Sequence, residues 1–172
     1  MRPTLYRGSS AVYIFNKESA ILLDCAEGTY GQLMDHFGSE EKVSQVLLKT
    51  KALLITHHHG DHILGIPKLL EERDKLMTKL DHNDRSQLFI VAPRCLIKWL
   101  DDFKNKRLVH PESIELIPSD VFNPEKYYYY QNNAYNSQKY RYFEAPNDRK
   151  HSDVCVRKDK RKIDIILRKF RP

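Results

Sequence analysis

An apolar run, Ala52-Leu53-Leu54-Ile55, leads straight into Thr56-His57-His58-His59-Gly60-Asp61-His62. That order reads as a buried strand delivering a ligand loop at its C-terminal end. His57, His59, Asp61 and His62 place four metal-ligating side chains within a span of six residues. Gly60 is expected to supply the flexibility that turns several of them toward one point. Imidazole and carboxylate together suit zinc or a similar divalent ion. The cluster is internal, contains an aspartate and follows a hydrophobic strand, which separates it from an expression tag.

The chain has 172 residues, enough for one domain with a real core and too few to expect two. Its longest apolar runs, such as Leu88-Phe89-Ile90-Val91-Ala92, fall far short of a membrane span. Met1 to Gly8 holds no apolar signal-peptide core, so an intracellular protein with no membrane association is expected. Cys25, Cys95 and Cys155 are odd in number and widely spaced, which favours reduced thiols over a disulfide framework.

Charge is uneven. From Lys139 to Pro172 there are twelve Lys or Arg against five Asp or Glu, within a total net charge of +6. Such a tail could attract a polyanion such as RNA by counterion release, or could simply be a solvated end.

Strand and helix signals alternate along the first two thirds. Strands are expected at Ala11 to Phe15, Ala20 to Asp24, Ala52 to Thr56, Leu88 to Ala92 and Ile114 to Ile117. Helices are expected near Gln32 to Phe37, over Glu40 to Leu48 and over Ile66 to Leu80, with another opened by Pro93. The alternation indicates an α/β layered fold, a mixed sheet flanked by helices. From Asn123 to Tyr142 the chain is tyrosine-rich and irregular, and reads as a surface loop. Val154 to Val156 and Ile163 to Leu167 are the last strand candidates. The organisation expected is one domain over 1–122 and an irregular, then basic, tail over 123–172.

An aspartate inside a histidine cluster can serve two ions, with His57 and His59 facing one and Asp61 and His62 the other. Two divalent ions about 3.5–4 Å apart suit hydrolysis of a phosphodiester or a strained amide. A single structural zinc is the alternative, although closed structural sites are usually rich in cysteine. His58 lies between the ligands and is given no role.

Leu22-Leu23-Asp24-Cys25-Ala26-Glu27-Gly28-Thr29-Tyr30-Gly31-Gln32-Leu33, the His57 to His62 cluster, Gly65-Ile66-Pro67-Lys68-Leu69-Leu70 with Arg73, and Val91-Ala92-Pro93 combine in a specific way. Together they resemble tRNase Z of the metallo-β-lactamase superfamily, closest to the catalytic half of its long form. The resemblance runs from about Pro3 to Ile117. It implies an αβ/βα fold, two zinc ions, and hydrolysis that removes the 3′ trailer from precursor tRNA. It further implies that His57, His59, Asp61 and His62 hold the metals, that Asp61 is the catalytic proton acceptor, and that Asp24 supports the ligand loop from behind. Nucleus, mitochondrion and cytoplasm are all compatible compartments.

The family completes its site with a third histidine, a bridging aspartate in a Gly-Asp turn and a distal histidine. No such turn occurs near Ile165 to Pro172, and the neighbours of His151 match the third-histidine position poorly. His82 and His110 read as ordinary surface histidines, and His36, at the end of an amphipathic helix, as a structural one. The chain is therefore expected to be incomplete and weak or inactive alone, and to self-associate or pair with a complementary chain. Two other readings stay open: a different hydrolase of the same superfamily, and a non-catalytic RNA-binding remnant.

Overall fold

The computed structural model describes residues 10–122 of the chain. Contacts divide the chain into a unit spanning Met1–Ile117 and a second spanning Pro118–Pro172, of which the described part ends in a 3-10 turn, Ser119–Phe122.

The described residues of the first unit begin with a hairpin of β1 (Val12–Phe15) and β2 (Ala20–Leu23), paired antiparallel from Val12 opposite Leu23 to Phe15 opposite Ala20. Asn16 makes the reversal. Its side-chain oxygen accepts from the backbone N–H groups of Glu18 and Ser19 at 2.9 and 2.8 Å, the local bonding that favours Asn in turns. Two helices follow, α1 (Thr29–Phe37) and α2 (Glu40–Lys49). Gly38, left-handed at φ 70°, closes α1 with a bond from its N–H to the Met34 carbonyl. Ser39 then caps α2, with Glu40 and Glu41 in the first turn against the positive end of the helix dipole.

The helical pair returns the chain so that β3 (Thr50–Leu54) lies parallel to β2. The ligand segment comes next and includes a short helix, α3 (Gly60–Ile63). Then come α4 (Ile66–Thr78), with Pro67 in its first turn, β4 (Leu88–Ala92) parallel to β3, α5 (Arg94–Arg107) and β5 (Ile114–Pro118). The sheet order is β1-β2-β3-β4-β5, a mixed sheet flanked by helices, as the alternating pattern implies.

Register explains the core. Leu22 pairs with Leu53 and Leu53 with Ile90, so three fully buried side chains form one row across the sheet. They join Leu33 of α1, Val43 and Leu47 of α2, and Leu69 and Leu70 of α4 in one apolar cluster. Burying each such leucine is worth about 1.5–3 kcal/mol. Two charged residues of α4 are also buried and anchor the neighbouring loops. Arg73 donates to Ser86 and to Ser113, and the Asp74 carboxylate accepts from the N–H groups of Val109 and His110 at 2.8 and 2.9 Å.

The strand ahead of the ligands is Thr50–Leu54, two residues earlier than the apolar run suggests. Ile55 still reaches β4, donating to the Val91 carbonyl at 2.8 Å, but the N–H of Thr56 turns away to a side chain. The strand candidates at 154–156 and 163–167, the tyrosine-rich segment and the basic tail lie outside the described residues.

Candidate metal centre

Because β2 and β3 are parallel neighbours, their C-terminal ends open at the same edge of the sheet. Asp24 leaves β2 there and Thr56 follows β3. The Asp24 N–H donates to the Leu54 carbonyl at 2.8 Å, and its backbone adopts φ 55°. Aspartate is among the few non-glycine residues that tolerate this left-handed region. The turn carries a buried carboxylate across the exit of β3.

That carboxylate gathers the ligand segment. Asp24 Oδ1 accepts from the Thr56 N–H at 2.8 Å, and the Thr56 hydroxyl lies 3.0 Å from Oδ1 and 2.8 Å from Oδ2. His62 Nδ1 sits 2.7 Å from Oδ2. Burial pushes the Asp24 pKa up, but the bonds from Thr56 and His62 outweigh it, so the group stays below its ordinary value. It is an ionised, acceptor-only group.

Backbone contacts lace α3 onto the loop after β2. The Cys25 N–H donates to the His62 carbonyl at 2.8 Å, and the Gly65 N–H donates to the Cys25 carbonyl at 2.9 Å. A Cβ on Gly65 would stand 1.9 Å from the Ala26 carbonyl oxygen, so only glycine fits. Among the described glycines, positive φ occurs at Gly28 and Gly38, and Gly60 simply opens α3. The left-handed residue at the site is Asp24, which packing holds in place.

The imidazoles crowd together. The His57 ring centroid lies 4.0 Å from that of His62 and 4.6 Å from that of His59. Asp61 Oδ2 is 3.8 Å from His62 Nε2. His57, His59, Asp61 and His62 are thus neighbours, while the exposed His58 ring meets His59 edge-on, its centroid 5.4 Å away. Among the described residues, no three His, Cys, Asp or Glu side chains converge as a set able to hold a metal ion. In kind, however, the donors fit a divalent metal: imidazoles and a carboxylate, with Asp24 bonded to the far nitrogen of His62. Ligating histidines commonly hand their second N–H to such a carboxylate.

Of the remaining histidines, His36 and His82 are exposed. His110 is not a surface residue. It is half-buried, with Nδ1 3.1 Å from an Arg85 guanidinium nitrogen and a buried Nε2 that has no hydrogen-bond partner. His151 lies outside the described residues. Thr56 is a further residue of the site, and the signal for it in the sequence is a hydroxyl immediately before the first ligand.

The sequence matches the Metallo-beta-lactamase superfamily over residues 5–76, a stretch that holds both Asp24 and the whole ligand cluster. That stretch is similar to the metallo-β-lactamase superfamily. Within it, the similarity is to ribonuclease Z. The human protein named zinc phosphodiesterase ELAC protein 2 is 34% identical over 118 residues, which cover 68% of this chain and 14% of that protein. The mitochondrial ribonuclease Z of Drosophila melanogaster is 36% identical over 107 residues, covering 62% of this chain and 13% of that protein. The chain therefore spans about one seventh of the length of these relatives. The crystal structure of a long-form RNase Z from yeast superposes with a TM-score of 0.54 at 24% identity, over 65% of this chain and 15% of that one, and shares the fold. The five-stranded mixed sheet is thus part of a metallo-β-lactamase fold, with the ligand segment at the exit of its third strand.

Proposed function

We propose that this chain is a zinc-dependent phosphodiesterase module of the tRNase Z type, acting on the 3′ trailer of precursor tRNA. The observation that carries the reading is one Asp24 carboxylate bonded directly to His62 and, through the Thr56 hydroxyl, to His57, in a chain whose relatives are named ribonuclease Z. His57, His59, Asp61 and His62 would hold zinc, two ions in a complete site. Bound there, zinc supplies Lewis acidity toward the phosphate. Asp61 orients the attacking water and accepts its proton. His62, held through Nδ1 by Asp24, keeps a fixed face toward Asp61.

A bridging carboxylate is not among the residues that this cluster assembles. Two cations without a shared anion repel, so we infer one firmly held ion and weak turnover by the 172 residues alone. A complementary chain or self-association would then complete the site. Mitochondrion and nucleus are the proposed compartments, the first supported by the mitochondrial names of relatives in fly and Arabidopsis thaliana. Among the described residues, no helix is long and apolar enough to cross a membrane.

The test is incubation of the purified chain with zinc and a precursor tRNA carrying a 3′ trailer, beside thioester and β-lactam substrates. A trace cut at the trailer junction, lost with chelator and in Asp61→Asn, is expected. Turnover of a thioester or β-lactam with the tRNA left intact would replace this reading with another hydrolase of the superfamily.

A further inference from the structure

Thr56 carries a hydroxyl between two partners. Its Oγ1 is 2.8 and 3.0 Å from the two oxygens of Asp24 and 2.9 Å from His57 Nδ1. A hydroxyl has one proton to give and two lone pairs with which to accept. An ionised carboxylate only accepts. The proton must therefore point to Asp24, since otherwise oxygen would face oxygen at 2.8 Å with nothing between. His57 Nδ1 is left as the donor, so neutral His57 carries its proton on Nδ1 and its lone pair on Nε2. His62 is in the same state by a direct route, because its Nδ1 meets Asp24 Oδ2 at 2.7 Å.

We propose that Thr56 is a positioning residue that locks His57 as the Nδ1–H tautomer through a hydroxyl bridge to Asp24, so that one carboxylate sets the metal-binding nitrogen of two histidines. This rests on the reading of His57 and His62 as metal ligands, but the tautomer itself does not need the metal. Free neutral imidazole side chains favour the opposite tautomer, so an unbridged His57 would present the wrong nitrogen part of the time. Thr56 also donates its backbone N–H to Asp24 at 2.8 Å, and that bond survives loss of the hydroxyl.

The experiment uses the full chain, nitrogen-15 labelled and stripped of metal, above the ordinary imidazole range of pH. Long-range proton–nitrogen correlation reads each histidine's tautomer, with His57→Gln and His62→Gln assigning the two signals. Wild type and Thr56→Ser should show His57 as Nδ1–H. Thr56→Val should move it toward Nε2–H while His62 remains Nδ1–H, which reports an intact Asp24 turn. Chelator competition should then show zinc affinity lowered by about 10–100-fold in Thr56→Val and restored in Thr56→Ser. His57 as Nε2–H in the wild type overturns the proposal, as does a Thr56→Val chain that keeps Nδ1–H. If Thr56→Val loses the His62 signal altogether, the wild type and Thr56→Ser decide. An Nδ1–H chain that binds no zinc sinks the metal reading and leaves the tautomer lock standing.

Discussion

Asp24 Oδ2 and His62 Nδ1 stand 2.7 Å apart, a contact that joins the end of β2 to α3 across 38 positions of sequence. The same carboxylate holds Thr56 at the exit of β3, so one side chain fixes the ligand segment from both ends. Asparagine tolerates the left-handed backbone at this position, so Asp24→Asn isolates the charge from the turn. Zinc affinity should fall by about 10–100-fold, and stability by about 1–3 kcal/mol. Asp24→Ala should lose more, because alanine pays for φ 55° as well.

The sign of the acid response follows from the depressed Asp24 pKa, in which the bonds from Thr56 and His62 outweigh burial. A carboxylate of this kind contributes stability above its unfolded value and loses it as pH falls through the folded one. Urea midpoints measured downward from about pH 4 should drop more steeply for wild type than for Asp24→Asn. Parallel acid limbs would show that the contact contributes nothing.

Gly65 and Gly31 make a matched pair. Alanine at Gly65 drives a methyl into the Ala26 carbonyl and should cost about 1–3 kcal/mol in urea unfolding, with zinc binding weakened as α3 shifts. Gly31 lies inside α1 with open space around its Cα, so Gly31→Ala should gain about 0.5–1 kcal/mol. Equal effects at the two sites would mean that α3 does not dock against the Asp24 loop.

Zinc binding should depend on which histidine is removed. His57→Ala and His62→Ala should abolish tight binding measured by chelator competition. His82→Ala and His36→Ala, at exposed positions away from the cluster, should leave it unchanged. Binding that survives loss of both His57 and His62 would place the metal elsewhere.

Cys25 is fully buried beside Asp24, and burial is the main reason that its thiol is pushed up to about 12. An acid whose folded pKa is raised gives stability that is complete below the unfolded value of 9.0 and is lost as pH climbs toward 12. Tyr13, also raised by burial to about 12, begins to act one unit higher. Urea midpoints should therefore decline between pH 8.5 and 10 (roughly the ordinary thiol range), and Cys25→Ala should flatten the decline. At pH 8 a thiol reagent should modify the exposed Cys95 quickly and leave Cys25 protected until the chain unfolds.

Much of the scaffold is legible locally. Gly38 followed by Ser39-Glu40-Glu41 marks where α1 stops and α2 starts. Pro67 marks the start of α4, and five consecutive buried residues mark β4. These signals lie within one element, where steric preference and hydrophobic period act directly. The metal-ligating residue types are equally local, being packed between His57 and His62. Other features are not local. The left-handed turn that frames the site is at Asp24, 32 positions before Thr56. His110 reads as a surface residue, yet Arg85 and the α4 carboxylate of Asp74 hold it half-buried.

The sequence by itself determined the mixed α/β scaffold and the residues available to hold a metal, because hydrophobic period and ligand spacing act over a few residues. Tertiary structure decided what those residues do. Only the parallel pairing of β2 with β3 brings Asp24 to Thr56 and His62, across 32 and 38 positions. A proton's place on His57 depends on that meeting, since a hydroxyl gives its single hydrogen to whichever partner the fold sets in reach.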